Sequence, residues 1–172
     1  RIEETRPKLA EAIGELEGMS GAIQKGAAKR EDEARAQRLN ELEAQQITGV
    51  PLRDESEKLH PENMKEALER MKELGVSTWT VIHCPEGGYG LDEENRYVSL
   101  PSLRLPEGYI KGTVGAGDAF CAGVLYGAQK RWALPESIRL GTCAAAASLS
   151  EPGASEGVGT AEEVLKLWDR FG

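Results

Sequence analysis

Long apolar runs are missing from this 172-residue chain. None approaches the roughly 20 residues a membrane-spanning helix needs, so no membrane partner is expected. The opening Arg1-Ile2-Glu3-Glu4-Thr5-Arg6-Pro7 lacks the apolar core of a signal peptide, and no initiator Met precedes it. The chain reads as a fragment. Cysteine is scarce: Cys84, Cys121 and Cys143 are odd in number, far apart and without CxxC spacing. That excludes a disulfide framework and fits a reducing cytoplasm. Basic residues number 21 against 29 acidic ones, for a net charge of −8 and a pI near 5.0. Without a basic stripe, nucleic acid is disfavoured as a partner. Aromatics are absent from residues 1–74, and all nine lie in 75–172. The packed core is therefore expected mostly in the second part.

What is present reads as alternating elements. Leu9, Ile13 and Leu16 mark one face of a helix over 3–17, and residues 27–46 read as a solvated helix with a thin stripe of Ala34, Leu39 and Leu42. Ile47-Thr48-Gly49-Val50-Pro51 breaks it. A stronger helix is expected over 61–74, with Pro61 at its start, a stripe from Met64 to Leu74, and Gly75 as the stop. The β-branched run Val76–His83 reads as a strand, and helix followed by buried strand suggests half of a parallel βαβ unit. Pro85–Gly88 makes a turn. Short strand signals follow around Gly90-Leu91 and Tyr97–Leu100, with an extended piece at Tyr109–Lys111. Helices are expected over Ala119–Lys130 and Glu136–Leu149, and Thr160-Ala161-Glu162-Glu163 forms a capping box that opens a last one.

The run Gly112-Thr113-Val114-Gly115-Ala116-Gly117-Asp118 carries the chemistry. Its glycines let the backbone turn with positive φ and approach a ligand closely. Successive N–H groups at a helix start form an anion-binding nest, and a phosphate suits it. The plainer reading is a glycine turn with Asp118 as an ordinary N-cap. A dinucleotide fingerprint would need glycine where Phe120 stands, and the Lys-Ser/Thr pair of a P-loop is absent.

This run resembles the second signature of the PfkB (ribokinase-like) carbohydrate kinases: Asp or Gly, Thr, any residue, then Gly-Ala-Gly-Asp. Asn40-Glu41-Leu42-Glu43 with Ile47-Thr48-Gly49 is similar to the family's Asn-x-x-Glu motif and the Thr-Gly after it. Ala144–Ala147 through Pro152-Gly153-Ala154 resembles its adenine-side helix and following turn. The resemblance covers about residues 37–172, and residues 1–36 form a helical stretch that resembles no part of the family. It implies a ribokinase-like three-layer α/β/α sandwich, incomplete because the family's N-terminal strands and lid find no counterpart.

The resemblance also implies roles. Asp118 is the general base, and the N–H groups of Gly115, Ala116 and Gly117 are the anion hole. Asn40 and Glu43 hold Mg²⁺ through water. His83, Gly88, Cys143 and Ala146 contact the nucleotide, although His83-Cys84-Pro85 replaces the family's Thr-x-Gly. Ser148, Gly153 and Gly157 line a site for a monovalent cation, K⁺, beside Gly112, where some members have Asp. The implied reaction transfers the γ-phosphoryl of ATP to a hydroxyl of a sugar or nucleoside, in a parent that forms a homodimer. The alternative is a nucleotide-binding or regulatory module without catalysis. An acyl- or dinucleotide-type enzyme lacks a nucleophile–base pair, since no His lies near Cys121 in sequence. A helical interaction protein built on residues 1–46 lacks heptads.

Overall fold

In the computed structural model, residues 39–153 and 155–172 are described, with side chains from Glu41 onward, all within the unit Ala34–Gly172. The expected helix over 3–17 and the first part of the helix over 27–46 lie outside the described residues. The elements run α1 (Leu39–Thr48), a 3₁₀ turn (Pro61–Asn63), α2 (Met64–Glu73), β1 (Thr80–Cys84), β2 (Gly87–Leu91), β3 (Tyr97–Pro101), α3 (Ala116–Gln129), α4 (Leu134–Ser148) and α5 (Ala161–Phe171).

The strands form one sheet in the order β1-β2-β3, antiparallel throughout. A parallel partner of the kind a βαβ unit implies would lie on the other edge of β1, where no strand stands among the described residues. Only two residues, Pro85 and Glu86, link β1 to β2, and such a connection permits antiparallel pairing alone. The expected strand over 76–83 is also shifted, because Thr80 pairs with Leu91 at the end of β2 and nothing pairs further back. Val76–Thr78 are exposed after Gly75, whose φ is 113°. The piece at Tyr109–Lys111 is not a strand: Tyr109 N–H closes a turn onto Pro106, and Lys111 N–H donates to Leu149 O at 2.8 Å.

Strand alternation divides the core into layers. Ile82 and Cys84 of β1, with Tyr89 and Leu91 of β2, pack on Met64, Ala67 and Leu68 of α2. Val81, Val98 and Leu100 face the other way, against Phe120 and Val124 of α3 and Leu134 and Ile138 of α4. Helix α5 then covers the outer side of α4 through Val164, Leu167 and Trp168. A sheet between two helical layers is the three-layer arrangement expected, although only three strands lie among the described residues.

The helices follow their local signals. Pro61 opens the turn before α2, and Gly75 follows its end. Pro135 sits in the first turn of α4. The capping box forms as expected: Thr160 Oγ1 accepts from Glu163 N–H at 3.3 Å and Glu163 Oε2 from Thr160 N–H at 2.8 Å.

Helices α3 and α4 come together with almost nothing between them. A Cβ on Gly123 would stand 2.7 Å from Gly141 Cα, and one on Gly127 would stand 2.3 Å from Ser137 Oγ. Glycine on β2 instead makes room for helix side chains, since a Cβ on Gly88 would stand 2.8 Å from Ile138 Cγ2. Mid-helix Gly→Ala normally gains about 0.5–1 kcal/mol. At Gly123 the new methyl meets backbone, so Gly123→Ala should instead cost about 1–3 kcal/mol, the scale of overpacking. Urea unfolding beside an Ala122→Gly control at an exposed site checks this. Unchanged or increased stability would contradict the close crossing.

Candidate phosphate and nucleotide site

The glycine-rich segment is tied down before it reaches α3. The Lys111 bond to Leu149 fastens it to the end of α4, and Lys111 Nζ lies 3.1 Å from Glu151 Oε1. At Gly112 a Cβ would stand 2.9 Å from Pro152 O and 3.0 Å from Glu151 O, so the turn after α4 closes directly on this residue. Thr113 Oγ1 is buried without a hydrogen-bond partner among the described residues.

Gly115 then takes φ 85°, ψ −2°, the left-handed conformation that favours glycine, and serves as the N-cap of α3. The helix therefore starts at Ala116, three residues before the expected Ala119. Ala119 N–H donates to Gly115 O at 2.8 Å, the first bond of the ladder. The N–H groups of Ala116, Gly117 and Asp118 precede it and have no intrahelical acceptor. They present donors, at the positive end of the helix dipole, to whatever binds there.

Asp118 is not the N-cap. It is the third residue of α3, exposed, and its carboxylate makes no side-chain hydrogen bond or ion pair among the described residues. An unengaged carboxylate one turn from free N–H groups is what a proton acceptor beside a bound phosphate requires.

His83 and Gly88 meet this end of α3. They are cross-strand partners at the end of β1. The His83 ring stacks on Phe120, centroids 4.1 Å apart and planes 17° apart, while Phe120 also lies under Gly88. Burial pushes the imidazole pKa down to about 4, so His83 is neutral near pH 7. Cys143 and Ala146 sit deeper, buried within α4 on the side packed by α5, and burial lifts the Cys143 thiol to about 11. Ser148 ends α4 with its hydroxyl donating to Ala145 O at 2.8 Å. Gly153 and Gly157 lie in the turn beyond, Gly157 closely against Ala147 O. This turn offers carbonyl oxygens beside Gly112 and, from residue 112, no carboxylate.

Asn40 and Glu43 stand one helical turn apart at the start of α1, which packs through Ala44 into the α2 layer. The Glu43 side chain is half-buried, and burial raises its pKa above the ordinary value. Among the described residues, no three His, Cys, Asp or Glu gather as a metal cluster. A carboxylate and an amide, completed by water and phosphate oxygens, is nonetheless a donor set that suits Mg²⁺.

Sequence reasoning missed a charge cluster at the same end of the fold. Glu41 is fully buried, and Arg53 Nε donates to its Oε1 at 2.7 Å. The Arg53 fork donates to Glu86 in the β1–β2 turn at 2.9 and 2.7 Å. The one available signal was Glu41 itself, a charge three residues before Ala44 on the face of α1 turned to the core.

Compared with known proteins, the chain matches the pfkB family carbohydrate kinases over residues 29–161. It belongs to that family. An uncharacterized sugar kinase of Archaeoglobus fulgidus is 36% identical over 109 residues, 63% of this chain and 42% of that protein. The ATP-dependent 6-phosphofructokinase isozyme 2 of Mycobacterium tuberculosis is 38% identical over 73 residues, 42% of this chain and 21% of the relative. The pfkB chain thus spans well under half the length of these curated relatives. Among solved structures, Arabidopsis thaliana ribokinase with ribose and ATP has a TM-score of 0.61 at 23% identity, covering 74% of this chain and 38% of that one. Escherichia coli phosphofructokinase-2 in complex with potassium has a TM-score of 0.60 at 20% identity, covering 76% and 39%. The fold is ribokinase-like, with a partial sheet.

His83 gives the site a pH signature. Its folded pKa lies below the ordinary 6.5, so the unfolded chain binds more protons between about pH 4 and 6.5. Stability should fall as pH drops through that window, by on the order of 2 kcal/mol. His83→Phe keeps the stack and removes the titration, so its unfolding free energy at pH 5 and pH 7.5 should differ less than in the parent. An identical pH dependence in the variant would place the effect elsewhere.

Proposed function

We propose that residues 37–172 are the nucleotide-binding part of an ATP-dependent carbohydrate kinase that phosphorylates a hydroxyl of a sugar or nucleoside. The observation that carries this reading is the start of α3: a left-handed Gly115 cap, first-turn N–H groups without intrahelical acceptors, and an exposed, uncommitted Asp118. Family membership supplies the class of reaction.

In this reading ATP lies with its phosphates at the N-terminus of α3. The acceptor hydroxyl oxygen attacks the γ-phosphorus, its proton passes to Asp118, and the bond to the β-phosphate oxygen breaks to release ADP. The N–H groups of Gly115, Ala116 and Gly117 face the charge that develops on the transferring phosphoryl group. Neutral His83 contributes a ring stacked beneath this end, not a positive charge. Asn40 and Glu43 hold Mg²⁺ through water, and the ion neutralises phosphate charge when bound. The carbonyls beside Gly112 suit K⁺ only as a carbonyl site, and no step depends on it. Gly88, Cys143 and Ala146 shape the adenine side from within the packed layer, and a homodimer is the proposed assembly.

Two substitutions separate the roles. In a full-length version, Asp118→Asn keeps shape but not the proton acceptor, so MgATP affinity should stay within about threefold while sugar-dependent ADP release falls on the order of 10² to 10⁴. Gly117→Val places a branched side chain beside the first-turn N–H groups and should weaken MgATP binding about tenfold or more. Calorimetric titration and a coupled ADP assay over sugars and nucleosides read both. Turnover by the Asn variant within tenfold of the parent would remove the base assignment. Unchanged affinity in the Val variant would move the phosphate site away from this loop. MgATP binding by a full-length version without turnover of any acceptor would favour the regulatory module.

A further inference from the structure

The charge cluster behind α1 is built more tightly than a surface ion pair. Glu41 is 0% exposed, and its Oε2 has no hydrogen-bond partner among the described residues. Its other oxygen is held by Arg53, whose own side chain is 10% exposed. Arg53 uses its whole fork: Nε to Glu41 Oε1, Nη1 to Glu86 Oε1 and to Glu57 O at 2.8 Å, and Nη2 to Glu86 Oε2. Three chain segments thus meet on one guanidinium: the start of α1, the loop at 53–57, and the β1–β2 turn.

Burying a carboxylate is costly unless it is paired, and a well-packed apolar residue would stabilise at least as well. A stability device alone does not explain why this cluster joins these segments. Glu41 lies between Asn40 and Glu43, and Glu86 follows His83 by three residues. His83 in turn stacks on Phe120, two residues after Asp118. Side-chain contacts and the short backbone between Glu86 and His83 therefore join α1, through Arg53 and the β1–β2 turn, to the first turns of α3. Only Arg provides a planar fork with a separate Nε donor, so Lys cannot reproduce the link.

We propose that Arg53 is a positioning residue: it fixes the Asn40–Glu43 turn relative to the phosphate end of the site, so that metal and nucleotide bind as one unit. This rests on the kinase reading above and extends it to a residue that touches neither ligand. Groups behind metal ligands typically change metal affinity 10–100-fold when removed. Without the guanidinium, Glu41 is left buried and unpaired and either takes up a proton or turns toward water; either way the turn carrying Asn40 and Glu43 loses its tie to the β1–β2 turn.

The test is ATP titration of the 172-residue chain in excess EDTA and in excess Mg²⁺, at a temperature where melting curves show each variant folded. In the parent, Mg²⁺ should strengthen ATP binding. Arg53→Met and Arg53→Lys should each keep metal-free affinity within about threefold and lose about tenfold of the Mg²⁺ enhancement. Glu86→Gln, which leaves the buried Glu41–Arg53 pair intact, should lose about threefold. If Arg53→Met is not folded, Glu86→Gln decides by the same ratio. A lower melting point with the enhancement intact would reduce the cluster to a stability role and overturn the proposal, as would full rescue by Lys. ATP binding by the parent without Mg²⁺ enhancement would overturn the positioning role and leave the nucleotide site standing. No ATP binding at all would overturn the kinase reading, and this inference with it.

Discussion

Close backbone approach is the constraint on which the other features of this structure depend. Helix α4 lies against α3 at Gly123 and Gly141 and against β2 at Gly88 and Gly90, positions where even a methyl group meets other atoms within about 3 Å. Between α3 and α4 the contact is backbone on backbone with short side chains, and against β2 the Phe120, Leu134 and Ile138 side chains fill the space that glycine leaves; packing of this kind permits little sliding. That fixes the start of α3, because Phe120 is held between His83, Gly88 and Gly141. The first-turn N–H groups and Asp118 are displayed from a rigid mount. A loop carrying the same residues would display them over a range of positions, and phosphoryl transfer depends on position.

The charged groups divide by their partners. Asp118 is exposed and uncommitted, while Glu41 is buried and committed to Arg53. Both are single acidic residues near a helix start, and neither can exchange places with the other. An engaged carboxylate cannot take a proton from a hydroxyl without first breaking its pair. A free carboxylate inside the α1–α2 layer would be desolvated without compensation. The fold places Asp118 where water reaches it, and keeps Glu41 where it does not.

Elements bounded by backbone chemistry were legible in the sequence. Pro61 and Gly75 bracket α2, and Thr160 with Glu163 opens α5, because each of these signals acts on its own few residues. The start of α3 was misplaced for a related reason. Asp is a strong N-cap, and nothing local says that Gly115 takes the cap instead and leaves Asp118 inside the helix. The strand at 76–83 was drawn too early because β-branched residues favour extension without naming a partner; β2 supplies the limit. The hairpin after β1 is legible because a two-residue link permits only antiparallel pairing, whereas a parallel partner on the other edge of β1 would come from outside the described residues. The glycine turn that opens α3 is legible from glycine spacing, and its proposed role comes from the family resemblance. Arg53, 12 residues from Glu41 and 33 from Glu86, has meaning only in three dimensions.

The link between α3 and α4 is four residues long, Lys130 to Ala133, and α5 packs next on α4. Nearly all contacts of this helical layer are consequently close in sequence. Loop closure costs such a unit little, so it can collapse on the microsecond scale typical of helical hairpins, ahead of pairings that span longer loops. The meander then meets a helical surface already in place, where Phe120, Leu134 and Ile138 stand so close to β2 that only glycine fits at positions 88 and 90. Folding order and the stiffness of the α3 start thus draw on the same short helical hairpin: what lets the chain assemble quickly also holds the first-turn N–H groups in place.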